Sequence, residues 1–356
     1  MPRAIGLMSG TSLDGVDAAW LETDGIQVSA FGPALTLPYD QALRSDLREI
    51  LDLAPVLPPD DPRLISAVER LTDYHVQAVK ALNRPADIIG FHGQTILHQP
   101  NRGRTWQVGD AAALARSTGI PVAFDFRSAD VAAGGQGAPL APIYHAALAD
   151  RLPKPVAVLN IGGVANVTWI GTDGDLIAFD TGPGNGPLDD WSARHIREAY
   201  DKDGKLAQSG RVDQGVLNTL LSHPFFRLPA PKSLDRLDFT QTLEASGAAG
   251  LAPADGAATL AAFTIESIAM ASFPEPPRNW LVCGGGRHNP VIMQGLAERL
   301  GVPVQPVEAV GWDGDALEAQ CFGFLAARVH HGLPLSFPST TGVTSPTPGG
   351  QITFGR

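Results

Sequence analysis

One pattern occurs twice in this chain and constrains its fold more than any single motif. A short apolar strand runs into a Gly-rich turn, two further strands follow, and helices and strands then alternate. The first copy reads as a strand at 3–9, the turn Gly10-Thr11-Ser12-Leu13-Asp14-Gly15, and strands at 16–23 and 26–37. The second reads as a strand at 155–160, the turn Ile161-Gly162-Gly163-Val164-Ala165-Asn166, and strands at 167–170 and 176–179. The recurrence is one of structure and not of residue identity. A meander followed by parallel units is an α/β signature. A length of 356 residues suggests two domains, at about 150 residues each. Two such halves facing each other would make a cleft, with one Gly-rich turn from each closing on the same phosphate chain.

Apolar spacing predicts helices at 39–53, 62–82, 111–117, 187–200, 254–272, 289–300 and 315–331. In the second of these, Leu64, Ile65, Val68, Leu71, Val76 and Val79 follow the helical period. Further strands are predicted at 87–91, 121–126, 280–283 and 302–307, with an edge strand at 352–354. The Pro-rich stretch 206–242 and the Ser/Thr/Pro/Gly run 336–351 read as loops.

Composition excludes several classes. Only Cys283 and Cys321 are present, which rules out a disulfide scaffold and fits a reducing compartment. The N-terminal segment lacks a signal-peptide pattern, and no apolar run is long enough to span a bilayer. Membrane attachment is therefore not expected. A net charge of −11 argues against a nucleic-acid partner, which calls for clustered Lys and Arg. It leaves room for a small anionic ligand, because backbone N–H groups and a metal ion hold phosphate without net positive charge.

Four constellations carry chemistry. Gly10 to Asp17 combines close-approach glycines with the Thr11 and Ser12 hydroxyls and the Asp14 carboxylate; a plain hairpin turn accounts for it equally well. Gly284-Gly285-Gly286 follows an apolar strand and suits either a nucleoside or tight helix–strand packing. Phe179-Asp180-Thr181-Gly182-Pro183-Gly184-Asn185-Gly186 sets a carboxylate at a strand end amid glycines, where an ionised Asp accepts a proton from water or a hydroxyl. Arg127, in Asp125-Phe126-Arg127-Ser128-Ala129-Asp130, offers a fork to a carboxylate ligand or an internal salt bridge to Asp125 or Asp130. His92, His98 and His145 do not make a zinc spacing.

Taken together, these residues resemble the anhydro-N-acetylmuramic acid kinase family. The likeness runs through Met8 to Asp17, His92-Gly93-Gln94-Thr95, Asp125-Phe126-Arg127, Gly134 to Leu140, Asn160 to Asn166, Phe179 to Asn185 and Cys283 to Gly286. It covers nearly the whole chain in order; 206–251 and the tail after Ser336 contribute little.

The resemblance implies an α/β fold of the actin/sugar-kinase/Hsp70 type, a duplicated ribonuclease H-like fold with an ATP cleft between two domains. These are expected at 1–130 plus 327–356 and at 131–326, with crossings near 130–137 and 326–331. It implies that ATP, water and 1,6-anhydro-N-acetylmuramic acid give N-acetylmuramic acid 6-phosphate and ADP, in cytoplasmic peptidoglycan recycling by a homodimer. By position, Gly10, Thr11, Ser12, Leu13, Asp14, Gly15, Val16, Asp17, Asn160, Gly162, Gly163, Gly284, Gly285 and Gly286 would bind ATP. Asp180 would be the catalytic base, and His92, Asp125, Arg127 and Glu318 would lie near the sugar. Mg²⁺ is expected with ATP; its ligands are left open, with Asp14 and Asp180, through water, as the candidates. Another sugar kinase, or a conformational ATPase of the same fold, is the second reading.

Overall fold

The computed structural model describes residues 1–10, 12–234 and 239–355. Among these residues there are twelve strands: β1 (Arg3–Ser9), β2 (Gly15–Thr23), β3 (Val28–Pro38), β4 (Ile88–Gln99), β5 (Arg104–Val108), β6 (Val122–Phe124), β7 (Val156–Ile161), β8 (Val164–Ile170), β9 (Leu176–Pro183), β10 (Asn279–Cys283), β11 (Val304–Pro306) and β12 (Gln351–Thr353). The chain divides into one unit of Met1–Leu148 with Ala316–Arg356 and another of Ala149–Asp315. The sequence reading drew these lines at residues 130 and 326. The difference reflects packing: helix Leu317–His330 contacts β1, β2 and β4 along its length and stays whole within the first unit.

The first sheet runs β12-β6-β4-β1-β2-β3, with β5 paired to β4; the second runs β11-β10-β7-β8-β9. In both, the first strand of an antiparallel meander is flanked on its other side by two parallel strands. The meanders are β1-β2-β3 and β7-β8-β9; the parallel additions are β4 with β6 and β10 with β11. This is the ribonuclease H-like strand order, present twice, and it is the fold class that the sequence resemblance implies.

Each unit has its own core. Ile5, Leu7, Val16, Leu43, Leu71 and Ile89 lie in the first; Leu159, Phe179, Phe263, Ile268 and Val282 lie in the second. Helix Pro62–Leu82 starts where the Asp61 side chain accepts from Arg63 N–H. It stops at Asn83, whose left-handed φ of 46° directs its N–H to Lys80 O. Among the described residues no helix is long and apolar enough to cross a membrane.

Predicted elements that come out differently include β4, the 206–242 stretch and β9, which does not end at Phe179 but runs past Asp180 to Pro183. β4 does not end at Phe91 but continues through His92, Gly93 and Gln94 to Gln99, because β5 pairs with its outer half. The 206–242 stretch contains helix Gln214–Leu221, capped by Asp213 accepting from Val216 N–H and burying Val216, Leu217 and Leu220. The prolines of that stretch, Pro224, Pro229 and Pro231, all follow the helix and leave it intact.

The first sheet and helix Leu317–His330 meet backbone to backbone. A Cβ at Gly6 would overlap the Ala319 carbonyl, one at Gly90 the Phe322 carbonyl, and one at Gly323 the Leu21 side chain. A main-chain carbonyl cannot swing aside as a side chain does, so the helix itself would have to lift. Gly90→Ala is expected to destabilise the first unit by at least about 1–3 kcal/mol, as overpacking does. Urea denaturation checks this, and an unchanged midpoint would mean that the helix is free to shift.

Candidate active site

The β1–β2 hairpin presents the first Gly-rich turn. Leu13 anchors it: its backbone is left-handed at φ 57°, its N–H bonds Gly10 O at 3.1 Å, and its side chain is buried. Val16 is also buried, and Gly15 packs against the Leu37 carbonyl. Ser12 and Asp14 are exposed, and the Ser12 hydroxyl donates to Asp14 Oδ1 at 2.8 Å. A Cβ at Gly10 would meet only Ser12 Oγ, at 3.4 Å. Internal packing thus requires glycine at 15 and leaves room at 10, where a ligand has space to approach. Thr11 lies outside the described residues. Asp17 Oδ1 accepts from the Thr36 hydroxyl at 2.5 Å.

Beneath the turn lies a buried polar chain that sequence reasoning missed. Ser9 Oγ donates to Gln94 Oε1 at 2.5 Å. Its one proton is then committed, so the Tyr39 hydroxyl 2.6 Å away is the donor to it. Burial pushes the Tyr39 phenol well above its ordinary range and keeps it protonated.

Arg127 and His92 form the second group in this unit. Arg127 Nε donates to His92 Nε2 at 3.1 Å, and Arg127 Nη1 donates to Gly137 O at 2.8 Å. A guanidinium only donates, so His92 Nε2 is unprotonated. Its proton sits on Nδ1, which donates to Gly93 O at 2.9 Å. Burial, then the Arg127 charge, holds the imidazole well below its ordinary pKa.

The salt-bridge reading of Arg127 does not hold, because both neighbouring carboxylates are engaged elsewhere. Asp125 turns away at a left-handed φ of 57° and accepts from Gln351 Nε2 at 3.1 Å. Asp130 accepts from Gly137 N–H at 2.5 Å and from the Thr341 hydroxyl at 2.6 Å. Arg127 is therefore a cation bonded to two neutral acceptors. Glu318 opens helix Leu317–His330, and solvent reaches its side chain. The protein crowded around its carboxyl and the Asp17 charge nevertheless raise its pKa; Arg127 opposes this, and Asp14 adds to the rise.

In the second unit three loops pack together. Asn185 N–H and Gly184 N–H bond Gly162 O at 2.7 Å and Gly163 O at 3.0 Å, and Asn185 Nδ2 bonds Ile161 O at 3.1 Å. Gly284 has φ 73°, and a Cβ there would overlap Asn160 Oδ1. Cys283 Sγ also contacts Asn160 Oδ1, at 3.9 Å. Gly286 packs against Ile161. Tight packing accounts for these two glycines. It does not account for Gly163, where a Cβ would meet nothing within 4 Å, or for Gly285, where it would meet only Asn185 Nδ2 at 3.5 Å.

Asp180 sits in β9 opposite Asn166. Its N–H bonds Lys232 O at 2.9 Å, and its Oδ2 accepts from Leu234 N–H at 2.7 Å. Burial pushes its carboxyl up to about 7; the Leu234 N–H and the Lys232 charge pull the other way. Lys232 is itself pinned, with Nζ bonding Phe225 O at 3.2 Å and lying 4.5 Å from the Phe225 ring centre. The sequence reading took Asp180 to have an ordinary pKa. The structure makes it a carboxylate poised near neutrality, in the range that suits a general base. Its holders come from the 206–242 stretch, where no sequence signal marked them.

Among the described residues no group of three or more His, Cys, Asp or Glu is arranged to hold a metal ion. Mg²⁺ needs only one or two carboxylates besides water and phosphate oxygens. Asp14 can supply one such carboxylate, and a cation beside it would offset the negative charge that Asp17 and Asp14 place on Glu318.

A sequence profile of the family described as anhydro-N-acetylmuramic acid kinase matches residues 2–355. The protein named anhydro-N-acetylmuramic acid kinase from Acidiphilium cryptum (strain JF-5) is 62% identical over 98% of each chain. That from Gluconobacter oxydans (strain 621H), with the same name, is 55% identical over 99% of each. A ROK family glucokinase from Streptomyces griseus, solved with glucose and AMPPNP, aligns over 92% of this chain and 99% of its own. That likeness is loose, at 12% identity and a TM-score of 0.41.

The protonation state of His92 is open to direct measurement. Nitrogen NMR of the imidazole is expected to show one neutral tautomer, with the proton on Nδ1, still neutral where a free imidazole has gained its second proton. A midpoint near the ordinary ~6.5 would contradict the buried Arg127 contact.

Proposed function

The chain belongs to the anhydro-N-acetylmuramic acid kinase family, and from that membership we propose how its residues divide the reaction. The enzyme uses ATP and water to open the 1,6-anhydro ring of 1,6-anhydro-N-acetylmuramic acid and to phosphorylate O6. The products are N-acetylmuramic acid 6-phosphate and ADP, and the reaction belongs to peptidoglycan recycling and amino sugar catabolism.

Asp180 takes a proton from water as that water attacks C1. The C1–O6 bond breaks, and O6, no longer a bridging ether, attacks the γ-phosphorus as the bond to ADP breaks. The observation that carries this reading is the half-buried Asp180 carboxyl, fixed by Leu234 N–H and raised to about 7. At neutral pH a substantial fraction is ionised and ready, and its conjugate acid is weak enough for the carboxylate to pull on water.

Arg127 meets the lactyl carboxylate of the sugar. Its bonds to neutral His92 and Gly137 O support this, because they aim the guanidinium without neutralising it. His92 then acts by holding Arg127, and Glu318 and Asp125 border the sugar. Gly10, Ser12 and Asp14, with Gly163 and Gly285, receive ATP through backbone and hydroxyl donors. The open space at Gly10, Gly163 and Gly285 supports that assignment. Leu13, Gly15 and Val16 shape the first turn from within. Mg²⁺, held at Asp14, would supply charge neutralisation on the transferring phosphoryl group. Homodimeric assembly and a cytoplasmic location belong to the same reading and are carried by the family resemblance.

Asp180→Asn keeps the side chain's size and removes the proton acceptor. Turnover is expected to fall by about 10²–10⁴-fold, as for other lost general bases, while calorimetry shows both substrates still binding. In the unaltered enzyme the ionised form is the active one, so kcat/KM should decline as pH drops through about 7. Near-normal turnover by the Asn variant, or a profile flat to about pH 5, would assign the base elsewhere.

A further inference from the structure

Arg287 lies in the short turn Gly285–His288, directly after the first glycine of the Gly284-Gly285-Gly286 loop. Its side chain is only 3% exposed. Every contact it makes is directed. Nη1 donates to Gly284 O at 3.0 Å, Nε to Glu308 Oε1 at 3.0 Å, and Nη2 to Asp315 Oδ1 at 2.7 Å. The Arg287 backbone N–H reaches the same Gly284 carbonyl at 3.3 Å.

The surroundings are fitted to this fork. Gly314 N–H donates to Glu308 Oε1 at 3.3 Å. A Cβ at Gly314 would come within 2.7 Å of both Arg287 Nε and Glu308 Oε1. The 308–315 segment thus leaves a slot through which the guanidinium passes. Asp315 is the last residue of the second unit before the chain returns to the first.

Such a buried cation is costly unless its donors are satisfied. Core packing of β10 does not call for one: Trp280, Leu281 and Val282 are already buried among apolar neighbours. What Arg287 fixes is the carbonyl of Gly284, and with it the path of a loop whose next residue, Gly285, stands open.

We propose that Arg287 is a positioning residue for ATP: it holds Gly284 O, and so the Gly284–Gly286 loop, in the shape that receives the nucleotide, while Glu308 and Asp315 hold Arg287. The proposal rests on reading that loop as part of the nucleotide site. Lysine is no substitute, because its single ammonium nitrogen cannot stand at the three donor positions, Nε, Nη1 and Nη2, that the guanidinium uses. Arg287 touches no reacting atom, so its loss acts on ATP affinity and leaves sugar affinity alone.

Three variants of the full-length enzyme test this by initial-rate kinetics with each substrate varied in turn. Gly285→Val tests the underlying reading, since its side chain would project into space now open. It is expected to raise KM for ATP. Arg287→Lys is expected to raise KM for ATP by about tenfold or more, as for a lost charge-assisted hydrogen bond, with KM for the sugar within about twofold. Asp315→Asn, on an exposed side chain, is expected to move KM for ATP the same way by a smaller factor. An unchanged KM for ATP in Gly285→Val would remove the nucleotide reading of the loop. A raised value there, with Arg287→Lys unchanged or raising both KM values equally, would overturn the positioning role and keep the loop.

Discussion

Main chains meeting with no side chain between them set the geometry of both units. In the first, Gly6 and Gly90 on neighbouring parallel strands face the carbonyls of Ala319 and Phe322, and Gly323 faces the strand pair from the helix side. The helix is thereby seated on the sheet, and its first turn delivers Glu318 within electrostatic reach of Asp14, Asp17 and Arg127. In the second, Gly184 and Gly284 let three loops nest, and the bonds of Gly184 and Asn185 to Gly162 and Gly163 lock them. The glycines left over, at 10, 163 and 285, have no such internal task.

This division separates glycines that shape a site from glycines that leave it open. Any side chain at a shaping position meets backbone, so its replacement damages folding first. An open glycine accepts a Cβ without conflict in the free protein, so under the proposed nucleotide reading its replacement bears on the ligand. The same logic sorts the first turn, where Leu13 and Val16 are buried anchors and Ser12 and Asp14 the outward groups.

The proposed chemistry centres on one carboxylate. Asp180 is held by the backbone on both sides of Ser233, through Lys232 O and Leu234 N–H. Withdrawal from water raises its proton affinity, while the Leu234 N–H and the Lys232 charge limit the rise. A fully exposed Asp would be too weak a base, and one buried without these partners would stay protonated. The structure sets it between those limits.

Much of this was legible in the sequence. The doubled meander followed from strand, Gly turn and strand recurring, and the 62–82 helix from its apolar period, because both are local patterns. Asp180 stood out because it follows an apolar run and precedes glycines, although β9 runs on past it to Pro183. What stayed hidden depends on distant partners. β4 looked finished at Phe91 because Gly93 breaks the pattern, and only β5 completes it. Lys232 and Leu234 come to Asp180 from over fifty residues away, with no periodicity to announce them. The 120–140 segment suggested salt bridges, but Gly137 and Thr341 had already claimed Asp130.

The claim on which the mechanism turns is that burial poises Asp180 near neutrality. Carbon-13 NMR of the enzyme labelled at aspartate carboxyls, with Asp180→Asn to assign the resonance, measures it directly. The account predicts a titration midpoint at about 7 for Asp180. A midpoint in the ordinary aspartate range, near ~3.9, would contradict it.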